Sequence, residues 1–367
     1  CDKCGKLKVK LEKEYKITQF EELSSFLGIN IEHNKQTGIL SMDVKAKIDA
    51  MFDERPQLNG LGHSSKPMDE TVNLTRKSDD KCKYIKYLQN PTVYASVVGS
   101  CIYLAITCRP DISHAVGRCS RGMHAPTQAN ILQLKTLLKY LRGSAHYKLN
   151  YYRDNHPLKD TLNKYADKDR DLISLLALQK SDWLNSKENL PFDHLFGASD
   201  ADYASKHEES RKSTSGYCFF LFHNLISWKS KLQPILATST HEAELIALNI
   251  AAQEAIWLRN LITEIKTALL GGKQQELTPT KILCDNMGAV HTAGNPTSSG
   301  PSKHIEIRFL KIREYQELRK LKVKHIDGVS NIADMFTKPL PAPTFNNYLR
   351  ALGMSIDKPM TPVVLSE

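Results

Sequence analysis

The sequence lacks a long hydrophobic run. Its longest apolar stretch, 94–107, is interrupted by Ser and Gly, whereas a membrane-spanning helix needs about 20 consecutive apolar residues. Glycine and proline are also scarce, at 18 and 16 of 367 residues, while 41% of the residues are hydrophobic. These proportions exclude collagen-like and wholly disordered chains. We therefore expect no membrane segment and a globular protein of two or three domains.

Two common catalytic motifs are absent as well. The sequence contains neither a GxxxxGK phosphate-binding loop nor a GxSxG nucleophile elbow, which argues against P-loop and serine-hydrolase chemistry. Its eight cysteines are irregularly spaced, a pattern typical of reduced intracellular thiols. Cys1 and Cys4 form a lone CxxC pair, which is not enough to predict a structural zinc site. Because the chain opens on Cys1 with no initiator Met or signal sequence, we expect a fragment or a processed piece.

The charge balance is basic. Lys and Arg number 50 and Asp and Glu number 40, so the net charge is +10. Such a balance suits a partner made of phosphates without requiring one.

The first half of the sequence predicts a hairpin followed by helices. Two apolar segments flank an Asn-Lys-Gln-Thr-Gly loop within 26–43, and apolar residues at a spacing of four follow in 44–52. Residues 57–67 have the composition of a linker. Three blocks with helical spacing cover 93–107, 111–123 and 126–142. The stretch 151–192 alternates acids and bases, which indicates a solvated insertion.

From residue 195 onward the hydrophobic period changes. Strand patterns cover 194–201, 216–236 as a hairpin, 281–285 and 321–326. An amphipathic helix begins at Ser239 and Thr240, with Glu242 placed as a capping partner, and runs to about Leu269. A short helix at 288–293 and a helix start at 332–337 complete the pattern. This order predicts an α/β domain with a mixed sheet.

Four carboxylates fall at informative places in this pattern. Asp200 and Asp285 end strands, Glu244 lies in the first turns of the long helix, and Asp334 begins a late helix. Functional groups of α/β sheets gather at strand ends, and converging carboxylates would hold Mg²⁺ ions able to hydrolyse a phosphodiester. Each acid taken alone also fits a helix cap or a solvated side chain. Spacing alone leaves both interpretations open.

A collinear series of motifs is more specific. It comprises SSFLGINIE at 24–32, VGSCIYLAITCRPDISHAV at 98–116, LLKYLRGSAHYKL at 137–149, ASDADYAS at 198–205, RKSTSGYCFFL at 211–221, LISWKSKLQ at 225–233, STHEAELIAL at 239–248, LCDNMGAV at 283–290, SKHIEIRFLKIRE at 302–314 and NIADMFTKPL at 331–340. In these segments the chain resembles the C-terminal part of copia-type (Pseudoviridae) retrotransposon polyproteins. That part contains the end of the reverse transcriptase, its connecting helices and the ribonuclease H domain.

The resemblance implies a fold and a division into domains. The fold would be a ribonuclease-H-like mixed sheet with flanking helices, preceded by a mostly helical thumb and connection region. The implied parts are the end of the reverse transcriptase without its palm (1–68), a helical connection (69–150), the charged insertion (151–192), the ribonuclease H domain (193–345) and a C-terminal tail (346–367).

The resemblance also implies a site and an activity. The family's metal-binding carboxylates fall on Asp200, Glu244, Asp285 and Asp334, with Asp202 as a neighbour on the same strand face. They would hold two Mg²⁺ ions, with Mn²⁺ as a substitute, and cleave the RNA strand of an RNA/DNA hybrid during reverse transcription. The implied partners are the hybrid and the palm and fingers of the polyprotein, and the implied location is a cytoplasmic virus-like particle or the nucleus.

Two basic segments are candidates for nucleic-acid binding. Cations and hydroxyls before a strand would hold phosphates, although a plain turn explains them nearly as well. A second segment, around 303–313, would lie along the hybrid backbone or form a solvated basic helix. The candidates are Arg211, Lys212, Ser213, Thr214, Lys303, His304 and Arg308.

Three further residues receive a structural interpretation or none. Trp228 and Trp257 are predicted as core residues because they lie on apolar faces. His325 precedes Asp334 by too short a loop for the mobile histidine of cellular ribonucleases H, so we assign it no proton-shuttle role.

Other functions remain to be weighed. Copia-type polymerases carry paired palm aspartates in an apolar strand, but the Asp79-Asp80 pair lies among Lys, Ser and Cys, so we expect no polymerase activity. One alternative is an inactive relic that binds nucleic acid or nothing. Another is a DDE-type integrase, which shares the fold class, although the AEL and IAD contexts match the ribonuclease pattern.

Overall fold

A computed structural model of the chain describes residues 23–69, 83–153, 195–204, 210–269, 277–294 and 303–356. Cys1, Cys4, Asp79 and Asp80 lie outside these ranges, as does the predicted insertion from residue 154 onward. The described residues form two five-stranded sheets with helices packed against them. Among them, no helix has both the length and the apolarity that a bilayer span requires.

The first sheet confirms the N-terminal hairpin and is wider than the sequence predicts. Its strands are β1 (Ser25–Phe26), β2 (Ile29–Asn34), β3 (Ile39–Asp43), β4 (Lys148–Tyr152) and β10 (Met354–Ser355), paired in the order β1-β2-β3-β4-β10. The β2–β3 turn is closed by the Asn34 side chain, which accepts from the Gln36 and Thr37 amides at 3.0 and 3.1 Å. Gly38 ends the turn at φ +68°, where a side chain would be strained.

Helices cover this sheet. They are α1 (Lys45–Asp53), α2 (Lys83–Leu88), α3 (Pro91–Thr107), α4 (Ser113–Ser120) and α5 (Gln128–Gly143). Asn90 caps α3, and Thr127 and Asn130 form a reciprocal cap on α5. The predicted linker 57–67 is packed rather than loose, because Leu58 and Leu61 are buried.

The end of the described chain returns to the first sheet. Helix α9 (Ala342–Ala351) and strand β10 follow the second sheet, and β10 pairs antiparallel with β4. The predicted C-terminal tail from residue 346 therefore starts inside α9 and includes a strand.

The second sheet has the order and strand directions of the ribonuclease-H-like fold. Its strands are β5 (Leu195–Asp202), β6 (Thr214–Leu221), β7 (Asn224–Leu232), β8 (Thr280–Cys284) and β9 (Leu321–His325), paired in the order β7-β6-β5-β8-β9. The first three form an antiparallel meander, and β8 and β9 run parallel to β5. Only β6 therefore opposes the other four strands of this sheet. The mixed sheet predicted from the strand pattern is confirmed.

Helices α6 (Thr240–Leu269), α7 (Met287–Gly294) and α8 (Lys303–Glu317) accompany this sheet. The predicted start of α6 is confirmed, since Ser239 Oγ accepts from the Glu242 amide at 3.1 Å and Glu242 accepts from the Thr238 amide at 2.7 Å. The prediction for Trp257 is wrong, because its side chain is 57% exposed. Leu258 and Ile262 face the core instead, so Trp257 lies beside the buried stripe of α6 rather than within it.

The helical part and the second sheet share one hydrophobic core. That core joins residues such as Tyr94 and Leu137 of the helices to Phe220 of β6 and to Phe336, which follows β9. Trp228 of β7 is half-buried and donates from Nε1 to the Ala105 carbonyl at 2.8 Å. The two parts are therefore packed together rather than merely tethered.

His114 of α4 lies in this interface and makes it acid-sensitive. Its side chain is buried, with Nδ1 3.4 Å from Ser230 Oγ of β7. Burial, followed by the charges of Arg118 and Arg121, lowers the pKa of His114 to about 3. The unfolded chain takes up this proton below pH 6.5 and the folded chain does not, so this contribution to stability is lost as the pH falls from 6.5 towards 3.

We expect His114→Gln to flatten the acid loss of stability. Between pH 6.5 and 5 the free energy of unfolding of the parent chain should fall by up to about 1.4 kcal/mol per pH unit through this residue. Urea unfolding at pH 7, 6 and 5 measures the slope. The variant of the exposed His124, His124→Gln, is the matched control. Equal slopes for the parent chain and His114→Gln would contradict this account.

Candidate metal centre

Four acidic side chains converge at one edge of the second sheet. Strands β5 and β8 are parallel neighbours with Ser199 opposite Cys284, so the next residues, Asp200 and Asp285, lie side by side. A 3₁₀ turn, Ile332–Phe336, adds Asp334, and the first turns of α6 add Glu244. Carboxylate oxygens of Asp200, Asp285 and Asp334 lie within 4.8 Å of one another. The predicted convergence of these acids is therefore present in the structure.

Glu244 joins the cluster beside Asp285. Its Oε1 accepts from the Ala201 amide at 3.2 Å, and the Cys284 thiol lies 3.9 Å from its Oε2. Oxygen and sulfur atoms of Glu244, Cys284 and Asp285 again lie within 4.8 Å of one another. The helix thus places Glu244 over the end of β5, next to Asp200.

The 3₁₀ turn is held tightly against β5 and β6. Asn331 Nδ2 donates to the Ser199 carbonyl at 3.0 Å, and the Thr337 hydroxyl donates to Asp200 Oδ2. Gly216 pairs with Asp200 across the sheet, and a Cβ there would lie 2.6 Å from Thr337 Cγ2. Glycine at 216 therefore permits the close approach that brings Asp334 to Asp200.

The cluster is electrostatically strained in the absence of cations. Burial, followed by the charges of Asp200 and Asp285, raises the pKa of Glu244 to about 9. Burial and then the Asp200 charge raise the pKa of Asp334 to about 8, and the same causes raise the pKa of Asp285. Like charges in a desolvated site disfavour ionisation. Added positive charge would favour the ionised forms of Glu244, Asp285 and Asp334.

Lys338 already supplies one positive charge. Its Nζ lies 2.8 Å from Asp334 Oδ1 and 3.8 Å from Asp200 Oδ2. Burial lowers the pKa of Lys338, but the charges of Asp200 and Asp334 outweigh this and raise it above its ordinary value. The sequence analysis did not single out Lys338. Its signal was the four-residue spacing from Asp334 within NIADMFTKPL.

The residues present fit a divalent cation. Three carboxylates offer hard oxygen ligands close enough together to hold one divalent cation, and the Lys338 ammonium lies beside two of them. A Cβ at Gly328 would lie 3.2 Å from Asp285 Oδ2, so the glycine leaves that oxygen unobstructed.

The predicted phosphate-binding segment 211–214 lies beside this edge of the sheet. Arg211 is exposed, whereas Lys212 Nζ donates to the Pro234 carbonyl at 2.8 Å. Ser213 and Thr214 are buried, and their hydroxyls accept from the Ala204 amide and from Arg121 Nη2 at 3.2 and 3.3 Å. In this structure, three of the four side chains therefore bond within the protein.

The remaining residues considered in the sequence analysis lie in α8 and at the end of β9. The backbones of Lys303, His304 and Arg308 lie in α8, and their side chains are outside the described part of the chain. His325 Nε2 lies 3.2 Å from the Asp285 carbonyl oxygen. His325 thus contacts the backbone of a cluster residue, a contact that the sequence analysis did not predict.

Two arginines of α4 and its C-terminal end were missed by the sequence analysis. Arg118 and Arg121 extend from the helical part towards β5 and β6, where the charge of Asp202 acts on both. Burial and then the Arg118 charge lower the pKa of Arg121 to about 10. Only the tertiary packing of α4 on β7 reveals that these cations lie near the acidic edge.

Nearly the whole chain is similar in sequence to known proteins. It is 30% identical over 345 residues to "Retrovirus-related Pol polyprotein from transposon RE1" of Arabidopsis thaliana, covering 94% of this chain and 20% of that relative. It is 30% identical over 350 residues to the corresponding polyprotein "from transposon TNT 1-94" of Nicotiana tabacum, covering 95% of this chain and 23% of the relative. The chain thus spans about a fifth of the length of these relatives. No family model matches it.

A solved structure, "LC11-RNase H1 in complex with RNA/DNA hybrid", aligns with 39% of this chain and 93% of its own, at 15% identity and a TM-score of 0.29. The assignment of the fold rests on the strand order and directions of the second sheet.

Proposed function

The chain belongs to the copia-type retrotransposon Pol polyproteins, and from this premise we propose that it is the ribonuclease H of such a polyprotein. The reaction is divalent-metal-dependent hydrolysis of the RNA strand of an RNA/DNA hybrid. The observation that carries the proposal is the convergence of Asp200, Glu244, Asp285 and Asp334 at one edge of a ribonuclease-H-like sheet. An acidic site assembled from four separate elements also favours an active enzyme over a relic.

The residues of the site have two roles, which are to hold the cations and to orient the carboxylates. Asp200, Asp285 and Asp334 would hold the cations, with Glu244 completing the cluster beside Asp285. When bound, Mg²⁺ would lower the pKa of an attacking water and neutralise charge on the leaving oxygen. Thr337 orients Asp200 by donating to Oδ2, and the Ala201 amide orients Glu244 by donating to Oε1. These hydrogen bonds fix the carboxylates before a substrate arrives, which lowers the cost of assembling the site.

Substrate choice tests this proposal. We expect the full chain with Mg²⁺ to cut a hybrid labelled on its RNA strand and to leave double-stranded DNA of the same sequence intact. Joining of DNA ends in this assay would favour the integrase alternative. Equal cutting of double-stranded RNA would contradict a hybrid-specific ribonuclease.

Binding of the hybrid should depend on phosphate contacts. Arg211, Arg118 and Arg121 add positive charge near the acidic edge, and the backbone of α8 carries a basic segment. Each neutralised phosphate releases counterions, so we expect the logarithm of the affinity to fall linearly with the logarithm of salt concentration. The affinity is measured by fluorescence anisotropy of a labelled hybrid, with Ca²⁺ in place of Mg²⁺. The salt concentration is varied between about 50 and about 200 mM, and the slope follows from these affinities. Salt-independent binding would contradict it.

A further inference from the structure

We propose that Lys338 is a positioning residue that holds the carboxylate cluster together while it is free of metal and gives up its place between Asp200 and Asp334 when divalent cations bind. The inference rests on the proposed function in one respect, because it takes divalent cations to be what the cluster binds. It adds a specific residue that sets how tightly the cluster takes them up.

The position of the Lys338 ammonium carries the proposal. Its Nζ lies 2.8 Å from Asp334 Oδ1 and 3.8 Å from Asp200 Oδ2, so it contacts two of the three carboxylates whose oxygens lie within 4.8 Å of one another. A divalent cation held by these same two carboxylates would compete with the ammonium for their negative charge. When the ammonium and a cation approach the same carboxylates, each weakens the binding of the other through repulsion between their positive charges.

The backbone around Lys338 is fixed, so only its side chain has to move. The amides of Thr337 and Lys338 both donate to the Asp334 carbonyl, at 3.2 and 3.1 Å. The Thr337 hydroxyl donates to Asp200 Oδ2. The anchor at 337–338 therefore stays in place when the ammonium leaves, and the carboxylates keep their orientation.

The Lys338 side chain can move away from the carboxylates into solvent. It is 37% exposed, in contrast to 2% for the Asp200 side chain. It also borders a small open crevice lined by Lys66, His114, Met335 and Pro339 among others. Withdrawal into water needs only rotation about side-chain bonds.

The charges explain why the exchange favours metal. A single ammonium cannot balance the charge of a cluster to which four carboxylates contribute. A divalent ion brings twice the charge into the same desolvated space. Lys338 thus stabilises the empty site while weakening cation uptake.

Thermal unfolding of the full chain in EDTA and in graded MgCl₂ tests the proposal without relying on activity. We expect Lys338→Met to lower the unfolding temperature in EDTA, to gain more stability from Mg²⁺ than the parent chain, and to need a roughly tenfold lower Mg²⁺ concentration for half of that gain. Lys320→Met, which removes an exposed lysine, is the control and should match the parent chain.

A second variant guards against a folding defect in Lys338→Met. Lys338→Arg keeps the charge and offers two parallel donors to a carboxylate, so its half-saturating Mg²⁺ concentration should equal or exceed that of the parent chain. An unchanged or higher half-saturating concentration in folded Lys338→Met would overturn the proposal. So would a half-saturating concentration in Lys338→Arg well below that of the parent chain.

The experiments distinguish a failure of the proposed nuclease function from a failure of the role proposed for Lys338. If the parent chain cuts no hybrid but the Mg²⁺ response of stability shifts as expected in Lys338→Met, the role of Lys338 stands and the nuclease does not. If neither the parent chain nor Lys338→Met gains stability from Mg²⁺, the role of Lys338 is wrong. A higher KM for the hybrid in Lys338→Met, with unchanged Mg²⁺ response, would identify a phosphate contact instead and overturn the inference.

Discussion

Asp285→Asn is expected to lower the rate of Mg²⁺-dependent hybrid cleavage about a thousandfold, or by about 4 kcal/mol of transition-state stabilisation. The amide keeps the shape of the side chain but replaces a charged oxygen ligand by a neutral one. Asp285 lies between the two halves of the cluster, near Asp200 and Asp334 on one side and Glu244 on the other. Its loss should therefore affect every cation that the cluster holds.

The fold and hybrid binding should survive this change. Removing a negative charge that faces phosphates leaves binding unchanged or tighter, and circular dichroism checks the fold. Asp327→Asn removes an exposed carboxylate beside the same edge of the sheet and serves as the matched control, with activity close to that of the parent chain. Near-parental cleavage by Asp285→Asn would refute the site assignment.

The second large effect concerns stability rather than catalysis. Arg109 is fully buried, and its guanidinium pairs with Asp111, from Nη2 to Oδ2 at 2.8 Å. Arg109 also donates to the Ser144 carbonyl at 3.0 Å, and the Tyr140 hydroxyl donates to Asp111 Oδ2 at 2.6 Å. Arg109→Met would leave Asp111 as a buried charge without its cation. We expect a loss of about 3–5 kcal/mol in the free energy of unfolding.

Replacing the whole network provides the matched control for this effect. When Arg109→Met is combined with Asp111→Leu and Tyr140→Phe, no buried charge or hydroxyl of this network lacks a partner. Most of the lost stability should then return, since apolar residues of similar volume often replace buried ion pairs at little cost. Urea unfolding measures both variants. A loss below about 1 kcal/mol for Arg109→Met alone would contradict the role of this pair.

Local pattern was sufficient to predict the elements that hold three of the four acids, whereas the predicted helix start that carries Asp334 is a 3₁₀ turn. The apolar strand that carries Asp200, the buried strand before Asp285 and the cap that begins α6 ahead of Glu244 are each specified by neighbouring residues. Parallel pairing of β5 with β8 then brings their ends together. The resemblance in ASDADYAS, LCDNMGAV and NIADMFTKPL selected the same residues, so two kinds of inference agreed on the cluster.

Features that depend on long-range packing could not be predicted from the sequence. Strand β10 has only two residues and exists because it pairs with β4, about 200 residues earlier in the chain. The ion pair of Lys338 with Asp200 requires the 3₁₀ turn to be seated on β5, and Arg121 meets Thr214 only because α4 packs on β7. The exposure of Trp257 likewise depends on which face of α6 the sheet covers.

The most direct test of the account is cleavage of an RNA/DNA hybrid, labelled on the RNA strand, by the full chain before and after its metal is removed. We expect cutting of the RNA strand in Mg²⁺, loss of cutting in excess EDTA, and recovery when Mg²⁺ or Mn²⁺ is restored, with no primer extension when nucleotides are added. Cutting that persists in EDTA, or a folded chain that leaves the hybrid intact in both metals, would contradict the claim that Asp200, Glu244, Asp285 and Asp334 form a metal-dependent ribonuclease centre.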